Sequence, residues 1–275
     1  ERWEVNKMSA GKFALVTGAS RGIGRQIALG LADQGHQVIA VSRSALDTSG
    51  LSASQKSMIT SITGDVSDNS FVEKLEKQVS KEHGVVQILV NAAGVFGPID
   101  LIQNTDPTEW VQTIIIDAIA PYYTARSFLP GMLKSKWGRI INLTSAASLH
   151  PPGPLNSAYG TSKVALNQLT RHLAAEIAGS GVTANVIHPG DVRSDMWGDI
   201  KAKAEALGEV GKDYKAWVDW VDQTGGDDPK KAMDLVLKLV SAESDLVNGR
   251  FCWIDQPLQA PIPSWEEPVD ARPWR

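Results

Sequence analysis

Short apolar runs separated by longer amphipathic stretches set the rhythm of this chain. The runs are Phe13–Val16, Val38–Val41, Ile59–Thr63, Ile88–Val90, Arg139–Leu143, Thr183–His188 and Arg250–Ile254. Each has strand length, and several are apolar throughout, which suits strands covered on both faces. Helical patterns lie between them, roughly at 22–34, 68–83, 107–133, 157–179 and 229–241. This alternation predicts βαβ units and an α/β fold, a doubly wound, seven-stranded parallel sheet with helices on both faces. Right-handed crossovers then bring the carboxyl ends of the strands to one edge, where such sheets bind ligands. No internal repeat is visible.

At 275 residues, with 43% hydrophobic and 21% charged positions, the chain can bury one sizeable core, and a single domain is expected over 11–256. Residues 1–10 read as an N-terminal extension, with Met8 near the natural start. The tail, 257–275, carries Pro257, Pro261, Pro263, Pro268 and Pro273, which rule out a regular helix, and Trp265 and Trp274, which suggest anchoring over the substrate side or on a neighbouring subunit. A net charge of −4 gives no reason to expect nucleic acid or an anionic membrane as partner. No apolar run approaches bilayer length. The single cysteine, Cys252, cannot form an internal disulfide, and a reducing, cytoplasmic setting is expected. His36, His83 and His172 form no cluster, so no metal is expected.

Candidate chemistry begins at the first strand. Phe13 to Val16 runs into Thr17-Gly18-Ala19-Ser20-Arg21-Gly22-Ile23-Gly24. Glycine lets the chain turn tightly and lets a pyrophosphate approach the backbone. The helix that follows aims free N–H groups and its positive end at that anion. The second strand runs into Ser42-Arg43, where an acid would bind the adenosine ribose hydroxyl of NAD. Here the acid is missing, and Arg21 with Arg43 favours NADP(H); the alternative is that both arginines are simply solvated. Gly64-Asp65-Val66-Ser67-Asp68 closes the third strand. Ser67 or Asp68 suits an N-cap, and Asp65 is placed to face the adenine amino group. The fourth strand ends in Asn91-Ala92-Ala93-Gly94, small residues against which a cofactor can lie, with Asn91 able to tie neighbouring strands.

Ser145 ends the fifth strand, and Tyr159-Gly160-Thr161-Ser162-Lys163 follows. A tyrosine and a lysine at i and i+4 share one helix face. A nearby ammonium stabilises phenolate and lowers a pKa of about 10, which makes the phenol a usable proton donor and acceptor. A solvated lysine on an exposed helix is the plain alternative to Y-x-x-x-K alone. A hydroxyl and a glycine loop in matching places argue against it.

With these motifs in view, the chain resembles a short-chain dehydrogenase/reductase of the compact, Rossmann-like type over about residues 10 to 255. The resemblance implies Tyr159 as general acid/base. Lys163 would lower its pKa and bind the nicotinamide ribose, and Ser145 would hydrogen-bond the substrate oxygen. It places the cofactor along Gly18, Ser20, Arg21, Gly22, Ile23 and Gly24, then Ser42, Arg43, Asp65 and Val66. Asn91, Ala92 and Gly94 continue the site, with Tyr159, Lys163, Pro189, Gly190, Val192 and Ser194 at the nicotinamide. Ser194 stands where threonine is usual. A homo-oligomer, dimer or tetramer, and a small carbonyl or alcohol substrate are implied as well.

One position departs from the family pattern. Counting from Trp110, the place usually held by an asparagine that supports a water relay to the lysine is held by Asp117. A carboxylate there either holds that water or pairs with Lys163 and weakens the positive field on Tyr159. His150, in the loop after Ser145, and Trp197, in the expected substrate lid at 190–226, are the further substrate-contact candidates. The same lid carries Trp217 and Trp220, for which the packed face of amphipathic helices is the default, and 200–206 reads as helical. Two rivals remain: a dinucleotide-binding sensor or scaffold that has lost catalysis, and an NAD-preferring dehydrogenase.

Overall fold

In a computed structural model of the protein, residues 11–149 and 153–258 are described, Asp213 by its backbone alone. The expected extension at 1–10, His150 and the tail beyond 258 lie outside the described residues. Seven parallel strands form one sheet: β1 (Phe13–Thr17), β2 (Gln37–Ser42), β3 (Ile59–Thr63), β4 (Ile88–Asn91), β5 (Gly138–Leu143), β6 (Val182–His188) and β7 (Phe251–Trp253). Their order is β3-β2-β1-β4-β5-β6-β7. The direction of winding reverses between β1 and β4, which opens a crevice at the carboxyl ends of those two strands.

Side chains alternate between two apolar layers, as strand geometry requires. Ala14 and Val16 of β1, Val38 and Ala40 of β2, and Ile88 and Val90 of β4 pack on one face, while Leu15, Ile39, Val41 and Leu89 pack on the other. The first layer is closed by α1 (Gly22–Asp33) and α9 (Pro229–Val240), through Ile27, Leu31, Leu235 and Val236. The second is closed by α3 (Asn69–Glu82), α5 (Ala120–Ser135) and α6 (Ser157–Glu176), through Leu75, Phe128, Met132 and Leu173. All seven expected strands are present, and the doubly wound architecture, one sheet between two layers of helices, follows the hydrophobic pattern.

Three differences from the sequence expectation matter. A short helix, α2 (Ala53–Met58), precedes β3. In the lid the helix read at 200–206 begins earlier, as α7 (Asp195–Ala206), and a second, α8 (Lys212–Thr224), follows it. The helical stretch expected at 107–133 is interrupted: α4 (Pro107–Ile114) and α5 are joined by a π-helical turn, Ile115–Ile119, in which the Ala120 N–H donates to the Ile115 carbonyl five residues back. The sequence supplies a cause. Pro121 has no N–H to give the Asp117 carbonyl, the bond an α-helix would need, and its ring crowds that carbonyl.

Candidate active site

A cleft of about 920 Å³ lies over the reversal point, and three groups of residues line it. The first is the glycine loop. Gly18 has φ +65°, and a Cβ there would stand 2.7 Å from the Ala93 backbone; a Cβ on Gly24 would stand 2.4 Å from the Gly18 carbonyl oxygen. Only glycine fits at either place, so β1, the loop and the turn after β4 pack backbone to backbone. The Thr17 hydroxyl fixes that contact by accepting from the Ala92 and Ala93 N–H groups, both at 3.1 Å. Arg21, the N-cap of α1, makes no side-chain cap, and the first turn holds no acid. The leading N–H groups of α1 therefore face the cleft without a side-chain acceptor, an arrangement that suits an anion. A dinucleotide fits this cradle.

The second group sits at the ends of β2 and β3. Ser42, Arg43 and Asp65 line the cleft, and the positions at the end of β2, Ser42, Arg43 and Ser44, hold no acid. Asp65 turns inward on its own loop, accepting from the Ser67 N–H at 2.9 Å and the Ser67 hydroxyl at 2.7 Å. The cap of α3 is Asp68, which accepts from the Ser70 N–H at 2.8 Å. Arg21 pairs with Asp195 of α7 at 3.1 Å, both side chains largely in solvent. Val66 packs against the core at 7% exposure and still lines the cleft.

The third group surrounds Tyr159 and Lys163, neighbours on one face of α6. Helix α6 is tied to the end of β5 by the Thr144 hydroxyl, which donates to Asn167 Oδ1 at 2.7 Å, and by Asn167 Nδ2, which donates to Ser148 at 2.8 Å. Those bonds set Ser145 beside the phenol, where its hydroxyl hydrogen-bonds Tyr159. The same function falls to Asn91, as its sequence position suggested. It donates to Asn142 on the neighbouring strand at 2.8 Å and accepts from Thr124 at 2.8 Å.

Lys163 Nζ lies 5.3 Å from the Tyr159 ring centroid and donates to the Leu143 carbonyl at 3.1 Å. It also stands 3.3 Å from Asp117 Oδ2, with both side chains buried. Asp117 thus pairs directly with Lys163. Burial raises the Asp117 carboxyl above the carboxylate range, against the pull of Lys163 and of the Val95 N–H that it accepts at 2.9 Å. Burial works against the Lys163 ammonium, but Asp117 and Tyr159 outweigh it and hold the lysine above its ordinary value. For Tyr159, burial raises the phenol. Lys163 and the Ser145 hydrogen bond pull it down, Asp117 and Asp191 push it up, and the net direction is upward.

Trp197 needs correction as a substrate contact. It is 7% exposed and packs with Ile99, Ile200, Val218 and Val221 inside the lid. Arg193 and Lys201 flank its ring at 5.2 and 5.4 Å, and both pair with Asp222 of α8. The phase of α7 explains this. Met196, Asp199, Ile200 and Lys203 form the stripe that lines the cleft, and Trp197 falls on the flank that holds α8. Ser194 caps α7, accepting from the Trp197 N–H at 3.4 Å. After β6, Pro189 lines the cleft, and Gly190 at φ +86° is packed against Asp227. The backbones of Asp191 and Asp227 are joined by a 2.9 Å bond, and the Asp227 carboxylate accepts from the Asp191 N–H at 2.9 Å.

Phe96 was missed by sequence reasoning. Its ring stacks on Tyr159 with centroids 4.4 Å apart and planes at 26°, and Tyr214 of α8 meets it edge-on at 6.1 Å. Its sequence signal was an aromatic two residues beyond the Asn91–Gly94 turn. Lys203 closes the same corner by donating to the Gly97 carbonyl at 3.0 Å. Among the described residues there is no cluster of three or more metal-ligating side chains, and no helix is long and apolar enough to cross a membrane.

Comparison with known proteins agrees with this geometry. The family model described as short chain dehydrogenase matches residues 12–205. The chain is 33% identical over 253 residues to a 2-keto-3-deoxy-L-fuconate dehydrogenase of Xanthomonas campestris pv. campestris, covering 91% of this chain and 81% of the relative. It is 34% identical to FabG of Haemophilus influenzae, a 3-oxoacyl-(acyl-carrier-protein) reductase, over 68% of this chain and 76% of that one. Among solved structures, a short-chain dehydrogenase/reductase from Burkholderia xenovorans superposes with a TM-score of 0.77 at 26% identity, covering 90% of this chain and 96% of that chain.

Proposed function

Since the chain belongs to the short-chain dehydrogenase family, we propose that it interconverts a ketone or aldehyde and an alcohol with NADP(H), using Tyr159 as general acid/base. The observation that carries this reading is the phenol of Tyr159, with the Lys163 ammonium and the Ser145 hydroxyl beside it, at a cleft whose other end is the glycine loop. When bound, the nicotinamide supplies or takes up the hydride at the substrate carbon. Gly18, Gly22 and the uncapped start of α1 would hold the pyrophosphate. Arg21, Ser42 and Arg43 would meet a 2′-phosphate, and an acid that would repel one is absent at the end of β2. Ser145 steadies the substrate oxygen as charge develops there. Tyr159 gives its proton to that oxygen in reduction and takes it back in oxidation. Phe96 with Met196 and Ile200 offers the substrate an apolar, aromatic wall, which favours a planar or apolar body around the carbonyl.

A homo-oligomer is part of the proposal. Val111, Ile119, Tyr122 and Val164, on the neighbouring helices α4 to α6, keep large apolar side chains in solvent. A reducing compartment is proposed too, in keeping with a buried Cys252 whose thiol burial pushes up to about 12. The deciding experiment titrates the purified protein with NADPH and NADH, then follows loss of reduced-cofactor absorbance over a carbonyl panel. Tighter NADPH binding, with turnover abolished in Tyr159→Phe, is expected. Preference for NADH would overturn the reading of the arginines, and turnover that survives in Tyr159→Phe would overturn the mechanism.

A further inference from the structure

Asp117, Lys163 and Tyr159 set acid, base and phenol side by side inside the fold, and of the three only the acid is not among the residues that line the cleft. Its side chain is 0% exposed and that of Lys163 is 6% exposed, so solvent screens neither charge. The turn after β4 seals the pair from one side: a Cβ on Gly94 would stand 3.4 Å from Asp117 Oδ1 and 3.7 Å from Lys163 Nζ. Two of the close partners of Asp117, the Val95 N–H and the Lys163 ammonium, can only donate, and such partners favour its ionised form against the burial that raises its carboxyl. The third, Ser162, reaches it at 3.3 Å while also reaching the Tyr159 carbonyl at 2.7 Å.

We propose that Asp117 is a positioning residue whose carboxylate offsets the Lys163 ammonium and so keeps Tyr159 in its proton-donating form, making this site a carbonyl reductase at neutral pH and an alcohol dehydrogenase only in alkali. The inference rests on the function proposed above. In reduction the phenol O–H breaks and the proton goes to the oxygen that receives the carbonyl electron pair. In oxidation the phenolate takes that proton back, so oxidation needs the phenol already ionised. A lysine acting alone would favour the phenolate. A lysine already matched by a buried carboxylate favours it far less.

The groups that face the phenol come from five elements. Lys163 is on its own helix, Asp117 on the π-helical turn, Asp191 after β6, Tyr214 on α8, and the Ser145 hydroxyl after β5. Two acids and one base make the surroundings of Tyr159 net negative, and burial acts in the same direction on the phenol. Removing the Asp117 charge leaves Lys163 with the Leu143 carbonyl as acceptor at 3.1 Å, so the ammonium is retained and only Asp191 still opposes its field at Tyr159.

The test compares the wild type with Asp117→Asn and, should that variant fold poorly, Asp117→Ser. Phenolate absorbance of the free protein is titrated against a Tyr159→Phe blank, and pH–rate profiles are recorded in both directions. In the wild type, the Tyr159 phenol is expected to titrate above its ordinary value of about 10. Loss of Asp117 is expected to lower that titration by about one unit or more, moving the falling limb of reduction and the rising limb of oxidation to lower pH together. Oxidation at neutral pH then rises about tenfold. A wild-type phenol titrating well below its ordinary value, or a titration that stays put or rises in the variant, overturns the proposal. The phenolate titration needs no substrate, so it decides even if no carbonyl is turned over and the proposed function fails.

Discussion

Replacing Gly24 by alanine tests the backbone-to-backbone packing of the glycine loop. The new Cβ would stand 2.4 Å from the Gly18 carbonyl oxygen, whereas ordinary contact begins near 3.4 Å, so the loop must give by about 1 Å. The obstacle is backbone, and Gly18 is itself packed so closely on the turn after β4 that a Cβ there would stand 2.7 Å from the Ala93 backbone, which leaves little slack on the far side. Overpacking of this kind costs about 1–3 kcal/mol. For a chain of this size that corresponds to a fall of roughly 2–5 °C in the midpoint of thermal unfolding. The displaced carbonyl also misaligns the start of α1, and a shift of this size in a positioning element costs about a hundredfold in function. Gly84→Ala is the control. Its φ is +87° and its Cβ meets nothing within 4 Å, so only the left-handed strain of about 1–2 kcal/mol is expected, with cofactor affinity unchanged. Thermal scans and NADPH titrations by tryptophan fluorescence read both effects. A Gly24→Ala protein that keeps its midpoint and its affinity would refute the packing argument.

Two further outcomes follow from the electrostatics. Asp195→Asn removes the partner of Arg21 in a pair whose side chains are 70% and 64% exposed, so stability should hardly change. The freed guanidinium should tighten NADPH binding severalfold and steepen its salt dependence; unaltered affinity would mean that Arg21 does not meet the cofactor. His36 is held below its ordinary value of 6.5, first by burial and then by the charge of Lys12, and its Nδ1 accepts from the Lys12 N–H at 3.1 Å. Its contribution to stability is therefore present above about 6.5 and lost as pH falls through the depressed folded value. Denaturant unfolding across that range should show a decline that His36→Asn reduces, and equal slopes in the two proteins would exclude the residue.

The strands were legible because a sheet covered on both sides leaves continuous apolar runs, and α1, α3, α6 and α9 because amphipathic periodicity marks them. Helix α2 escaped notice since none of its residues is buried; it is held by a capping box between Ser52 and Gln55, a local signal present in the sequence but carrying no hydrophobic stripe. The motif residues of the cleft could be named in advance, as their spacing reflects backbone geometry that recurs. Which side chains of α7 face inward could not, because a shift of one position separates Met196 from Trp197, and only the packing of α8 decides the phase. Phe96 and Asp117 illustrate the same limit: each acts on Tyr159 from a different part of the chain, and their distances belong to the fold.

The π-helical turn has a consequence for how this site changes over generations. A π-helical step holds one residue more than an α-helical one, so where each side chain of the turn stands depends on length at Ile115–Ile119 as well as on residue type. Deleting one residue there would let the turn close as an α-helix, with α4 and α5 near their present register and the residues of the turn itself displaced. Thr124, Phe128 and Met132 would stay anchored in the core while Asp117 swung away from Lys163. The counter-charge can thus be lost with the aspartate still encoded, which makes insertions and deletions, as much as point substitutions, a route by which relatives of this protein could exchange one proton-transfer regime for another.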